Sequence, residues 1–168
     1  MADFTRALPF VLKHEGGWSD DPDDPGGATN HGITLATAQR HGIMTKDALR
    51  AIAPEVVAAI YEADYWRFDG ISSQRVAVKV FDMAVNMGRK TVVKLIQSAL
   101  NKLGSSLMPD GCWGPATENC VNAVDPDQML EVLVQVSMDH YRAIVANRPQ
   151  SGKYLIGWLA RAAEVPRG

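Results

Sequence analysis

A chain of 168 residues with 46% hydrophobic side chains can bury one good core but not two ordinary domains. Lys and Arg total 17 against 19 Asp and Glu, a net charge of -2 that gives no clustered positive field for nucleic acid or an anionic membrane surface. No window approaches the ~18 uninterrupted apolar residues of a membrane span. The start, MADFTRALPF, shows neither a basic leader nor a small-residue cleavage site. Neither nucleic acid, a membrane span nor a secretory leader is expected.

From Asp3, a candidate N-cap, residues Phe4, Ala7, Leu8, Val11 and Leu12 recur at helical spacing. An interior proline costs ~3 kcal/mol, so this helix either kinks at Pro9 or begins near it. On either reading Glu15 falls in the last turn, and Gly16-Gly17 stops the helix. The loop that follows carries Asp20, Asp21, Asp23 and Asp24, stiffened by Pro22, Pro25 and Gly26-Gly27. Thr34 caps a short helix that stops at Gly42, and Thr45 opens another that ends before Pro54. Pro54 begins EVVAAIYEADYW, in which Val56, Ile60 and Tyr61 face one way and Tyr65 continues the row.

After Asp69-Gly70, Ser72 or Ser73 caps a helix with Val76, Ala77, Val80, Phe81 and Ala84 on its apolar face and Asp82 and Asn86 on a separate polar row. Val92, Leu95, Ile96, Ala99, Leu100 and Leu103 form the next core helix, closed by Gly104. The turn-rich SSLMPDGCWGP follows, with Trp113 as a local hydrophobic plug. Asp125-Pro126 starts the longest helix and Pro149 ends it. A last amphipathic helix covers roughly residues 154–163, and the tail VPRG is expected to fray. No segment alternates with period two for long, so the class is all-α with at most a small hairpin around residues 29–34.

A carboxyl group that acts as a general acid must keep its proton near working pH. A helix C-terminus disfavours the anion by only ~0.3 to 1 kcal/mol, so burial or a second carboxylate must supply the rest. Glu15 meets the first condition, and Asp24, in a wetter loop, is suited to remain an ionised base. Two carboxylates in unlike environments are the acid and base of glycoside hydrolysis. The plainer alternative is a solvated helix-end Glu followed by turn-forming aspartates. A calcium loop beginning at Asp21 would need ligands where Pro25 and Gly32 stand. His14, His31, His41 and His140 show no zinc spacing. No metal and no cofactor is expected. Cys112 and Cys120 match no CxxC pattern and suit free thiols, with a disulfide between them unforced. A cysteine hydrolase pairing either with His140 lacks any context that would lower the thiol pKa.

The segments E-G-G-W, D-P-G-G-A-T and H-G-I-T, between Glu15 and Thr34, resemble the signature of glycoside hydrolase family 108, the phage and bacterial N-acetylmuramidases with a lysozyme-like fold. Tyr61, Tyr65 and Trp66 resemble that family's aromatic block, and F-D-M-A-V-N-M-G, residues 81–88, its central helix motif. L-I-Q-S-A-L-N, D-G-C-W-G-P-A-T and G-W-L-A-R resemble a predicted peptidoglycan-binding region. The resemblance implies an all-α, lysozyme-like fold in two lobes. A catalytic region over residues 1–88 and a peptidoglycan-binding region over 89–168 would pack into one unit.

By the same resemblance Glu15 is the catalytic acid. Likeness to phage-type lysozymes makes Asp24 the base and Thr29 its helper, with Asp20, Asp21 and Asp23 competing for the role. Asn86 would hydrogen-bond an acetamido group or water, or else bond back to its own helix. Trp18, Tyr61, Tyr65 and Trp66 are the candidates for stacking on sugar rings. One or two at most belong to the cleft, since aromatics at helical spacing are more often core. The implied partner is the peptidoglycan glycan strand, cut at the β-1,4 bond between N-acetylmuramic acid and N-acetylglucosamine. The implied setting is a monomeric phage or prophage endolysin, made in the host cytoplasm and released to the wall by a holin. Alternatives are a lytic transglycosylase, which needs one Glu only, and a non-catalytic wall-binding or secretion-assisting module.

Overall fold

The proline inside the first helix does not break it. In the computed structural model, which describes residues 1–20 and 27–167, helix α1 covers Phe4–Leu12 and buries Phe4, Ala7 and Val11. Pro9 removes its own N–H but still accepts from the Lys13 N–H at 3.3 Å. The chain then tightens. His14 donates to the Val11 carbonyl and Glu15 to that of Leu12, both three residues back, so Glu15 sits in a 3-10-type turn just past α1 rather than in its last turn. Asp21, Asp23 and Asp24, with Pro22, Pro25 and Gly26, lie outside the described residues.

Two compact units emerge, one formed by Phe4–Trp66 and the other by Met1–Asp3 with Arg67–Gly168. In the first, strands β1 (Thr29–Asn30) and β2 (Ile33–Thr34) pair antiparallel as Thr29 with Thr34 and Asn30 with Ile33. His31 and Gly32 join them, both with positive φ (49° and 72°), as a two-residue I′-type hairpin requires. The hairpin is locked from below. The buried Asn30 donates its Nδ2 to the carbonyls of Leu49 (3.0 Å) and Arg50 (3.1 Å). Helices α2 (Leu35–Arg40) and α3 (Lys46–Arg50) are capped by Thr34 and Thr45 as expected. In α4 (Pro54–Asp64) the core stripe is Val57, Ile60 and Tyr61, whereas Val56 is 40% exposed. The stripe therefore runs through Val57, because i, i+3 and i+4 share a face and Val56 is turned about 100° away from it.

In the second unit α5 (Gln74–Met87), capped by Ser73, packs with α6 (Arg89–Lys102) and α8 (Pro126–Asn147). Helix α7 (Pro115–Ala123) supplies a helix that the turn-rich reading passes over. Pro149–Tyr154 forms a 3-10 turn leading into α9 (Leu155–Ala163). Leu103 is the C-cap of α6 and is largely exposed, and Val93 holds the core place instead. Every residue of α5 from Val76 to Ala84 is buried, Lys79 and Asp82 included. Asp82 thus lies on no solvent-facing row. Its Oδ1 pairs with Arg161 of α9 at 2.9 Å and 3.0 Å.

The Lys79 ammonium donates to the carbonyls of Arg161 (3.2 Å), Ala162 (2.8 Å) and Glu164 (2.8 Å). A cation is thereby set at the C-terminus of α9, where carbonyls lack helical partners and the dipole is negative. The tail does not fray: Pro166 is buried and its carbonyl accepts from Arg75 Nε at 3.1 Å. Among the described residues no helix is long and apolar enough to cross a membrane.

Replacing Asp82 by Ala leaves the Arg161 guanidinium largely buried without its carboxylate, and should lower unfolding free energy by about 3 kcal/mol. Lys79→Met strands carbonyls at the end of α9 and should cost about 1 to 3 kcal/mol. Val56→Ser, on the open side of α4, should change little. Urea unfolding followed by circular dichroism ranks the three, and equal losses in all would contradict the buried charge network.

Candidate active site

Glu15 is half-buried, and its neighbourhood follows from the hairpin. After Gly16-Gly17 the chain turns back, and Ser19 and Thr29 exchange both backbone hydrogen bonds at 2.8 Å, forming an isolated bridge beside β1. Both ends of the acidic loop are pinned in this way. A Cβ built on Gly32 would come within 2.4 Å of Glu15 Oε2 and 2.9 Å of the Tyr61 hydroxyl. The carboxyl group therefore occupies space above the turn that only glycine leaves open. Tyr61 donates its O–H to the His31 carbonyl at 2.8 Å, holding the turn from the α4 side.

Tyr61 is 1% exposed and its ring lies 5.5 Å from that of Tyr65. Burial first, then the charge of Asp64, holds the Tyr65 phenol above its ordinary range; Glu15 adds to the rise and Arg40 opposes it. Tyr65 thus senses the charge of Glu15 within this unit. Asp20 is engaged by Lys46, whose Nζ lies 2.8 Å and 3.0 Å from its two carboxylate oxygens. Asp24, the expected base, is among the residues outside the description. Thr29 stands half-buried on β1, at the return of the loop.

The four expected stacking aromatics divide by burial. Trp66 is 6% exposed and meets Phe4 edge-on at 5.8 Å, so like Tyr61 it is a core ring. Trp18 and Tyr65 are half-buried and keep surface. The Arg50 guanidinium lies 5.7 Å from the Trp18 ring centre. Asn86, in the second unit, is exposed near the end of α5 and accepts a hydrogen bond from the Tyr141 hydroxyl of α8. It reaches across to α8. Tyr141 stacks on Trp158 with ring centres 5.2 Å apart, and burial pushes its phenol up to about 12, with Arg161 opposing and Asp82 adding.

Trp113 meets Phe68 edge-on at 5.1 Å and donates its indole N–H to Glu118. Cys112 and Cys120 are free thiols. Sequence reasoning passes over Gly32 and the Tyr61 hydroxyl. The one available signal was the two-residue His31-Gly32 link between short β-prone pairs, which specifies a tight turn but not what leans on it.

Among the described residues a helical scaffold carries one short hairpin, with the Glu15 carboxyl group held against it, in an all-α, lysozyme-like fold. Residues 8–88 match the family model of glycosyl hydrolase 108, and residues 91–163 match that of a predicted peptidoglycan domain. The two matches together support a peptidoglycan-acting glycosidase. Among solved structures the chain is similar to that of Brucella abortus SagA, with 28% identity and a TM-score of 0.77 over 95% of this chain and 89% of that one. No curated protein matches the chain.

Gly32→Ala should test the turn without substituting a carboxylate. The added methyl requires both the Glu15 carboxyl group and the Tyr61 hydroxyl to shift, beyond a penalty of about 1 kcal/mol for the positive φ, so folding is verified by circular dichroism. Release of sugar from peptidoglycan should nonetheless fall by about tenfold or more, because the carboxyl group is displaced. Unchanged activity would show that Glu15 need not sit there. Tyr141 supplies a second prediction. Its folded pKa lies above that of an unfolded phenol near 10, so its contribution to stability is complete below pH ~10 and is lost as pH rises through about 12. Tyr141→Phe should be less stable than the parent at about pH 8, and the gap in urea midpoints should narrow at about pH 11.5.

Proposed function

We propose that the chain is an N-acetylmuramidase that hydrolyses the β-1,4 bond between N-acetylmuramic acid and N-acetylglucosamine, with Glu15 as general acid. The observation that carries this is the half-buried Glu15 carboxyl group pressed over the His31-Gly32 turn, within the region that matches the glycoside hydrolase family. Glu15 gives its proton to the glycosidic oxygen as the C1–O bond breaks, and the leaving sugar departs with a new hydroxyl. A water adds to C1 and loses a proton to the base. Net, one water is consumed per bond.

Asp24 is the proposed base. Its loop leaves and returns through the Ser19–Thr29 bridge, and Asp20, the competitor nearest that bridge, is held by Lys46. Thr29, at the loop's return, is proposed to orient the attacking water. Trp18 and Tyr65 are the rings proposed to stack on sugars, since Tyr61 and Trp66 are buried. Asn86 has its side-chain oxygen engaged by Tyr141, which leaves its N–H groups to donate to an acetamido carbonyl. The motif resemblance further favours an endolysin working as a monomer on the wall after release by a holin.

The test is reducing-end release from purified peptidoglycan by the parent beside Glu15→Gln, with folding verified by circular dichroism. The variant keeps the shape and loses the proton donor, so a fall of about a hundredfold or more is expected. Asp24→Asn should fall by a comparable factor if it is the base. Activity that survives Glu15→Gln would remove the assignment, and 1,6-anhydro ends in place of reducing ends would move the reaction to lytic transglycosylation.

A further inference from the structure

The loop of residues 110–113, within the motif D-G-C-W-G-P-A-T, plays no part in the chemistry proposed for Glu15, yet it is held in place in detail. The buried Gln97 of α6 donates to Asp110 Oδ1 (2.9 Å), the Cys112 carbonyl (3.1 Å) and Thr117 Oγ1 (3.2 Å), and accepts from the Gly111 N–H (3.0 Å). Gly111 has φ +81°, and a Cβ there would lie 2.7 Å from Lys90 Cγ and 2.9 Å from the Lys90 carbonyl. The loop is thus laid directly on the first turn of α6. Such tight anchoring exceeds what an exposed connection needs.

Beside this loop opens a cavity of about 400 Å³ lined by Arg67, Arg89, Gly111, Cys112 and Trp113, in the size range of small-ligand sites. Its lining includes Trp113 and two cationic residues. Arg89 is exposed, and among the described residues its guanidinium makes no hydrogen bond, ion pair or ring contact. It also stands in the first turn of α6 with Lys90 and no acidic residue, where the helix dipole disfavours a cation. Arg89 therefore does nothing for the fold that explains its charge. The neighbouring acids are already engaged: Asp110 by Gln97 and the Cys112 N–H, Glu118 by the Trp113 indole.

We propose that this cavity binds a free carboxylate of a peptidoglycan stem peptide, with Arg89 facing the carboxylate and Trp113 beside its apolar flank. The proposal rests on peptidoglycan being the partner and is independent of Glu15 being the acid. An arginine fork suits a planar carboxylate. In intact wall the lactyl carboxyl of muramic acid is consumed in the amide to the peptide, so free carboxylates belong to the stems. Of the five lining residues, Gly111, Cys112 and Trp113 fall within the region that matches the predicted peptidoglycan domain, and Arg89 lies just before it.

The experiment titrates the parent and Arg89→Ala, calorimetrically, with stem peptide released from wall by an amidase, with the same peptide methyl-esterified, and with the denuded glycan strands. No bond is cut in the peptide arm, so its result does not depend on the glycosidase assignment. The parent should bind free peptide, Arg89→Ala should bind it about tenfold or more weakly, and the ester should bind neither chain measurably. Added salt should weaken the parent's binding. Equal affinity of the two chains for peptide, equal affinity of the parent for acid and ester, or no binding of peptide by the parent would each overturn the proposal. Arg89-dependent binding of the denuded glycan without binding of the peptide would overturn it in favour of the lactyl carboxylate.

Discussion

The second unit depends on two charges that α5 carries into its own interior. A helix buried along nine consecutive residues would ordinarily be apolar all round, and α5 instead presents Lys79 and Asp82 to α9. The ammonium terminates α9 by accepting the role of a C-cap, and the carboxylate fixes Arg161 two turns into that helix. Breaking a buried pair is far more costly than never having made it. The consequence is specificity of placement: α9 can end at only one height against α5, because its last carbonyls must meet Lys79. That same fixed end lets Pro166 reach Arg75 and tie down the tail.

In the first unit the corresponding constraint is steric. A two-residue hairpin with positive φ at both positions already selects glycine at Gly32. The Glu15 carboxyl group and the Tyr61 hydroxyl then fill the space a side chain would need. Backbone geometry and site geometry therefore select the same residue for separate reasons. The hairpin is in turn held by Asn30 to the end of α3 and by Tyr61 from α4, so two helices fix the surface against which Glu15 rests. This is the kind of support a reacting group needs to hold its position to a fraction of an ångström.

What the sequence made readable was chemistry confined to a few neighbouring residues. Thr34, Thr45, Ser73 and Asp125 cap the helices they were expected to cap, and Pro54 and Pro126 take first-turn positions, because both signals act within one turn. The all-α class, with at most a small hairpin around residues 29–34, followed from the absence of sustained period-two alternation. Long-range pairings were illegible. Asp82 reads as a surface residue when its partner Arg161 lies 79 residues away, and the tail reads as loose when its anchor is Arg75. Pro115 carried the same first-turn signal as Pro54, but the glycines around it made the segment read as loop. The division of the aromatics into buried Tyr61 and Trp66 and half-exposed Trp18 and Tyr65 depends on packing that spacing alone does not fix.

Net charge is the coarsest of these readings, and the second unit shows what it hides. A total of -2 gives no sign of a broad polyanion-binding face, yet the start of α6 places Arg89 and Lys90 side by side with Lys94 one turn on, and no acid in the first turn answers them. A small cationic set of this kind is too confined for a duplex and well matched to a single carboxylate at short range, where screening by salt is weakest. Glycan recognition needs mainly hydrogen bonds and ring faces, so a near-neutral surface suits it. A wall polymer, however, combines neutral sugars with acidic peptides, and a protein that addresses both is best served by a balanced total with one local excess of positive charge.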